Sequence, residues 1–202
     1  VDPDPPGGDG PVDPPRKIYV DGVAVGIVAE RVEYLDEQGK LITESLRDFT
    51  KKALKKHFAS LENFLQRWNK AERKQAILEE LANEGLPLEP LVEEVNKDLD
   101  PFDLICHVAF DQPPLTRRER AENVRKRDVF TKYGPQARAV LEALLEKYQD
   151  AGVLALDDPS LLKIAPFDAM GTPMQLIKQF GSRAAFEQAV HELQVELYHE
   201  VA

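Results

Sequence analysis

Cysteine is nearly absent from this chain. Among 202 residues only Cys106 is a cysteine, so no intramolecular disulfide and no cysteine-based zinc cluster can form. His107 beside it makes a reactive Cys/His pair one reading, but the apolar run around them suits a small buried side chain better. Long hydrophobic runs are also missing. No stretch approaches the roughly 18 consecutive apolar residues of a membrane span, and the N-terminus has no basic, apolar, small-residue signal series. A cytoplasmic protein without a membrane partner is expected. Positive charge is in short supply, with 26 Lys and Arg against 36 Asp and Glu and a net charge of -10. The chain as a whole should repel nucleic acid, so any DNA contact has to be local. The familiar catalytic signatures are missing as well: there is no GxxxxGK[ST] loop, no GxGxxG after a strand, no HExxH and no GxSxG elbow. The expectation is a chain with no catalytic residues, no bound cofactor and no metal of its own.

What is present divides the chain in three. Residues 1–15, VDPDPPGGDGPVDPP, are nearly all Pro, Gly and Asp, which cannot bury enough apolar surface to offset their ordering entropy, and they read as a linker. A chain that opens this way without an initiator Met is expected to continue a longer protein. Residues 16–45 read as a three-stranded antiparallel β-meander: Ile18-Tyr19-Val20, an Asp21-Gly22 turn, Val23 to Leu35, a turn ending in Gly39, then Lys40 to Thr43. Alternation slips between Val28 and Arg31, which suggests a bulge. Residues 46–202 read as a helical domain, giving a mainly α fold of about eight helices with a small meander at its entrance.

Caps mark many of those helices. Ser60 opens one carrying Phe64 and Trp68, and Asn69 with Glu72 reads as a capping box for the next, which runs to Gly85. Asp100 caps a helix with Pro101 at its first position. Thr116 with Glu119 is a capping box, and Gly134-Pro135 reads as the end of that helix and the start of another. The latter carries Val140, Leu141, Leu144, Leu145 and Tyr148 on one 3.6-period stripe. Thr172-Pro173 and Ser182 open the last two.

The one dense basic segment is RRERAENVRKR, residues 117–127, with six basic and two acidic side chains. On a helix Arg118 and Arg125 share one flank, Arg120 and Arg127 the other, and Ala121 and Val124 lie between. Together with Arg117 and Lys126 these are the candidate contact residues for phosphates or an acidic partner helix. A helix whose arginines pair with neighbouring acids and lay their stems over the core would carry the same residues. Lys51, Lys52, Lys55 and Lys56 read as a solvated helix face. The histidines, His57, His107, His191 and His199, are scattered, and His191 and His199 read as surface residues rather than metal ligands. Asp103 and Asp111 flank the apolar helix that Asp100 caps, and no mechanism follows from them.

Residues 98–127, DLDPFDLICHVAFDQPPLTRRERAENVRKR, resemble the C-terminal domain of EcoEI-type type I restriction enzyme R subunits. So do YVDGVAVGIVAERVEYLDEQGKLITESLRD at 19–48, FASLENFLQRWNKAERKQAILEE at 58–80, and the FDAMGTPMQLIKQFG and HELQVELY segments within 167–198. The resemblance covers nearly everything after the linker. It implies a parent chain that is an ATP-dependent type I site-specific deoxyribonuclease, with a nuclease domain, two RecA-like translocase domains using ATP and Mg, and a helical C-terminal domain. That domain is expected to hold the subunit on the methyltransferase and specificity subunits. A helical module that guides duplex DNA to the motor is the alternative.

Overall fold

A computed structural model of the chain describes residues 16–20, 23–28, 31–86 and 88–199. The linker segment 1–15 and the Asp21-Gly22 turn lie outside the described residues. Four strands, β1 (Arg16–Val20), β2 (Val23–Val28), β3 (Arg31–Leu35) and β4 (Leu41–Ser45), form one antiparallel sheet in sequence order. The three-stranded reading therefore merged two strands. Val28 pairs with Arg31 across β2 and β3, so the slip in alternation marks a reversal of the chain and not a bulge. A reversal between two apolar strands leaves the same trace in the pattern as an inserted residue would. The β3–β4 turn is as expected. Asp36 Oδ1 accepts from the backbone N–H groups of Gln38 and Lys40 at 3.0 and 2.8 Å, and Gly39 takes the left-handed φ of +76° that a side chain would resist.

Ten α-helices and two 3-10 turns follow among the described residues, which bears out a mainly helical fold with a small antiparallel sheet at its N-terminal end. The first three are α1 (Leu46–His57), α2 (Leu61–Lys70) and α3 (Lys74–Asn83). Next come α4 (Glu89–Val95), α5 (Pro101–Phe110), α6 (Arg117–Arg127) and α7 (Pro135–Ala151). After the 3-10 turns Val153–Asp157 and Leu161–Lys163 come α8 (Phe167–Met170), α9 (Pro173–Lys178) and α10 (Arg183–Leu197). The excess over eight is made of the short segments α4 and α8, too brief to show a period. None of the helices among the described residues is long and apolar enough to cross a membrane.

The caps place most helix starts. Ser60 accepts from Asn63 N at 3.1 Å, Asp100 from Phe102 N at 3.0 Å, and Ser182 from Ala185 N at 3.1 Å. Thr116/Glu119 and Thr172/Gln175 both close full capping boxes. Two expectations fail. Asn69 lies inside α2, and α3 is capped at Arg73 without a side-chain bond. What joins these helices is Lys74, whose buried ammonium donates to Trp68 O at 2.6 Å and Ala71 O at 3.0 Å, taking up carbonyls at the end of α2. Burial holds the Lys74 ammonium below its ordinary range, opposed by the charge of Asp157. The second failure is the end of α6, which stops at Asp128 and not at Gly134-Pro135. Asp128 adopts φ +49°, and Asp111 ends α5 the same way at φ +54°. A short polar side chain tolerates this conformation, so aspartate does here what glycine was expected to do.

The core runs around α5, of which only Pro101, His107 and Phe110 escape burial. A chain of aromatic contacts, Phe58–Phe64–Trp68–Phe102–Tyr198, links α2 and α5 to the end of α10 with ring centroids 4.7–5.7 Å apart. The α7 stripe packs as its period implies, with Val140, Leu141, Leu144, Leu145 and Tyr148 all buried. The sheet is held by Val32, which is buried, and by Tyr34 against Phe49 of α1 at 5.5 Å. Cys106 is buried and its thiol is pushed well up, by burial first and then by the negative charge of Asp103, which leaves no reactive thiolate.

Candidate interaction surface

The basic helix α6 sits where α5, α7 and α10 meet, and its arginines divide by direction. Arg120 points inward. Its side chain is 2% exposed, pairs with Asp103 (Nη2 to Oδ1 2.8 Å), donates to Leu197 O at 2.8 Å and lies over the Phe102 ring. Burial alone would lower the pKa of this guanidinium, but the hydrogen bond and charge of Asp103 more than compensate and it stays protonated. Asp103 Oδ1 also accepts from Leu115 N at 3.1 Å, so the pair ties three elements together. Of the six candidate contact residues, then, Arg120 is removed from the surface. A buried charge needs a buried partner, and Asp103, seventeen residues upstream on another helix, could not be matched to it by local spacing.

Arg117 is also used internally: it donates to Gln149 O at 3.1 Å, Lys97 O at 3.3 Å and Leu99 O at 3.4 Å. Beside it, Leu99 bridges Thr116 and so joins the entrances of α5 and α6. Arg125 pairs with Glu142 and reaches Gln149, and Arg127 holds the Glu196 carbonyl and carboxylate at the end of α10. Ala121 and Val124, expected as an apolar stripe between two outward ridges, are core residues. Arg118 and Lys126 remain exposed, next to exposed Glu119 and Glu122. The flank of Arg118 and Arg125 does exist as a surface feature: with Glu122, Glu142, Glu146 and Asp150 it lines a groove of about 470 Å³ between α6 and α7. Four carboxylates against two guanidiniums make that groove acidic.

The lysines of α1 are likewise less free than a solvated face implies. Lys51 pairs with Asp111 at 2.7 Å and Lys52 with Glu44 at 2.5 Å, fastening α1 to the end of α5 and to β4. Asp100 is a cap, but one with a further role. Fully buried, it accepts from Phe102 N and from the Tyr198 hydroxyl at 2.7 Å. Burial raises its carboxyl above the ordinary range, against the pull of those hydrogen bonds, and burial followed by the Asp100 charge holds Tyr148 and Tyr198 well above theirs.

His191 and His199 are exposed, and neither belongs to a cluster of three potential metal ligands among the described residues. His57, read from the sequence as one of four scattered histidines, has company instead. His57, at the end of α1, stands 2.6 Å from Glu84 and 3.6 Å from Glu80. His57 and Glu84 are 27 positions apart in the chain, so spacing alone gave no sign of the cluster.

A different surface is apolar. Ile164, Met170 and Met174 are exposed, Met174 to 69%, and the residues next to them in the chain, Leu162, Lys163, Asp168, Gly171, Thr172, Pro173 and Gln175, line a shallow groove of about 400 Å³. Two methionines beside an apolar hollow are adaptable contact material.

Residues 44–198 match the model of the family described as EcoEI R protein C-terminal. The chain belongs to this family. An EcoEI R protein C-terminal domain is the C-terminal domain of a type I restriction enzyme R subunit, and the match runs from the last strand to the end of α10, the part built around the Asp103–Arg120 pair. The chain is also similar to an Escherichia coli protein named type I restriction enzyme EcoAI endonuclease subunit, 55% identical over 184 residues. That alignment covers 91% of this chain and 23% of the relative, so the chain spans about a quarter of the length of the curated relative it matches. No solved structure matches this EcoEI R protein C-terminal domain.

Proposed function

We propose that this domain docks the ATP-driven motor and nuclease of an R subunit onto a methyltransferase and specificity core. The observation that carries this reading is the internal use of the α6 arginines. Four of the six candidate contact side chains are engaged by α5, α7, α10 or the loop before α5, and the groove beside the two that face α7 is acidic. A duplex-guiding surface requires free cations along a face, and α6 uses four of its six to hold the domain's own helices. The surface that suits a protein partner is the apolar one around Met170 and Met174. In this reading residues 1–15 are the linker to the motor, residues 16–45 and 46–202 a meander and the docking body, and the domain acts in the cytoplasm without hydrolysing ATP or DNA itself. ATP and Mg belong to other domains of the parent.

The test is co-elution of the 202-residue chain with purified methyltransferase–specificity core, alongside duplex binding at low and moderate salt. We expect a complex with the core, weakened at least tenfold by Met174→Glu with Met170→Glu, because a carboxylate forced into an apolar contact is desolvated without a partner. Salt-steep duplex binding together with failure to bind the core would replace the docking reading by the DNA-guiding one.

A further inference from the structure

We propose that His57, Glu80 and Glu84 form a site for one divalent transition-metal ion, a site independent of the docking surface. Their donor atoms, one per residue, lie within 4.8 Å of one another. Zinc holds nitrogen and oxygen ligands at about 2.0–2.2 Å, which puts the donors of a tetrahedral site roughly 3.4 Å apart, so shifts of about an ångström close the site. Glu80 and Glu84 are four residues apart at the end of α3 and so face the same way. His57 is the last residue of α1. Two helix C-termini thus converge, and their partial negative charge adds to that of the carboxylates in favouring a cation.

The imidazole is held ready. Its side chain is 8% exposed, and the Phe58 ring meets it edge-on at 4.5 Å. The two carboxylates are about half-exposed, which leaves a path for an ion and room for water in a fourth position. One imidazole with two carboxylates suits a borderline ion such as zinc better than magnesium, which prefers oxygen alone.

A cation of the protein already sits at the edge of the site. Arg67 of α2 grips both oxygens of Glu80 at 2.7 and 2.8 Å and lies 3.3 Å from His57 Nε2, with its guanidinium carbon 5.0 Å from the centre of the Phe58 ring. A metal has to take Glu80 from it. This competition gives the proposal a signature that a purely structural ion-pair network lacks: removing the guanidinium should improve metal binding.

The experiment is calorimetric titration of zinc chloride into the 202-residue chain near neutral pH, with magnesium chloride as control and circular dichroism to verify each fold. We expect one equivalent of zinc bound and no comparable magnesium heat. His57→Gln and Glu84→Gln should each weaken binding at least tenfold. Arg67→Met, which keeps an unbranched apolar side chain beside Phe58 and removes the competing charge, should tighten it several-fold, while His191→Gln with His199→Gln leaves it unchanged. If His57→Gln fails to fold, the more exposed Glu84→Gln carries the loss-of-binding test. Absence of saturable zinc binding in both the parent chain and Arg67→Met would overturn the proposal. So would zinc affinity that survives Glu84→Gln, or that does not rise in a folded Arg67→Met.

Discussion

At the scale of single residues, two buried carboxylates three positions apart have opposite electrostatic settings. Asp103 has its counter-ion, Arg120, and removing only that partner leaves a charge stranded in the core. Arg120→Met should therefore cost about 3–5 kcal/mol in denaturant unfolding. Combining it with Asp103→Leu should cost clearly less than the sum of the two single changes, because the stranded charge is gone. Asp100 has hydrogen bonds but, among the described residues, no salt bridge of its own, and its carboxyl is raised above its ordinary value of 3.8. A raised carboxyl binds its proton more tightly in the fold, so the stability it contributes is complete below 3.8 and declines as pH rises through the folded value. Asparagine keeps the cap and cannot ionise. Asp100→Asn should thus gain stability relative to the parent as pH goes from 3 to 7, and melts across that range should show the difference growing; a difference that is flat or shrinks would mean that Asp100 does not titrate in the raised direction.

At the scale of elements, α6 is a helix whose composition suggests a surface and whose position makes it a staple. Arg118→Glu should change stability by no more than about 0.5 kcal/mol. Arg125→Glu sets a carboxylate against Glu142 and should cost about 1 kcal/mol, a modest figure because the pair is partly exposed to solvent. Equal melting temperatures for the two variants would contradict this division. The same helix shows what the sequence could carry. Its start at Thr116 was legible because a capping box is local chemistry, and so were Asp100, Ser182 and the α7 stripe. Its inward arginines were not, because which flank is buried depends on Asp103, Glu142, Glu196 and the Leu197 carbonyl, all contributed by other helices. The His57 cluster was hidden for the same reason, since α1 and α3 meet only in the folded chain. The β2–β3 reversal was lost because neither glycine nor proline punctuates it, and the end of α6 because aspartate took glycine's place.

At the scale of the whole molecule, the end of α10 completes the core. Leu197 and Tyr198 are buried, Tyr198 packs on Trp68 and Phe102, and its hydroxyl reaches Asp100. Ending the chain after Glu196 should remove at least about 3 kcal/mol and broaden the thermal transition, as deletion of any large core side chain does. Tyr198→Phe, which loses only the hydroxyl, should cost about 1–2 kcal/mol. A truncated chain that melts as sharply as the parent would show the aromatic core to be complete without α10. The bond from Asp100 to Tyr198 closes a loop 98 residues long, and this has a consequence for biosynthesis. A ribosome that has made α1 through α9 presents Trp68 and Phe102 without their cover, and Arg120 without the Leu197 carbonyl. The domain therefore completes its core only after the last turn of α10 has emerged, and until then the nascent chain exposes aromatic surface that the finished fold covers.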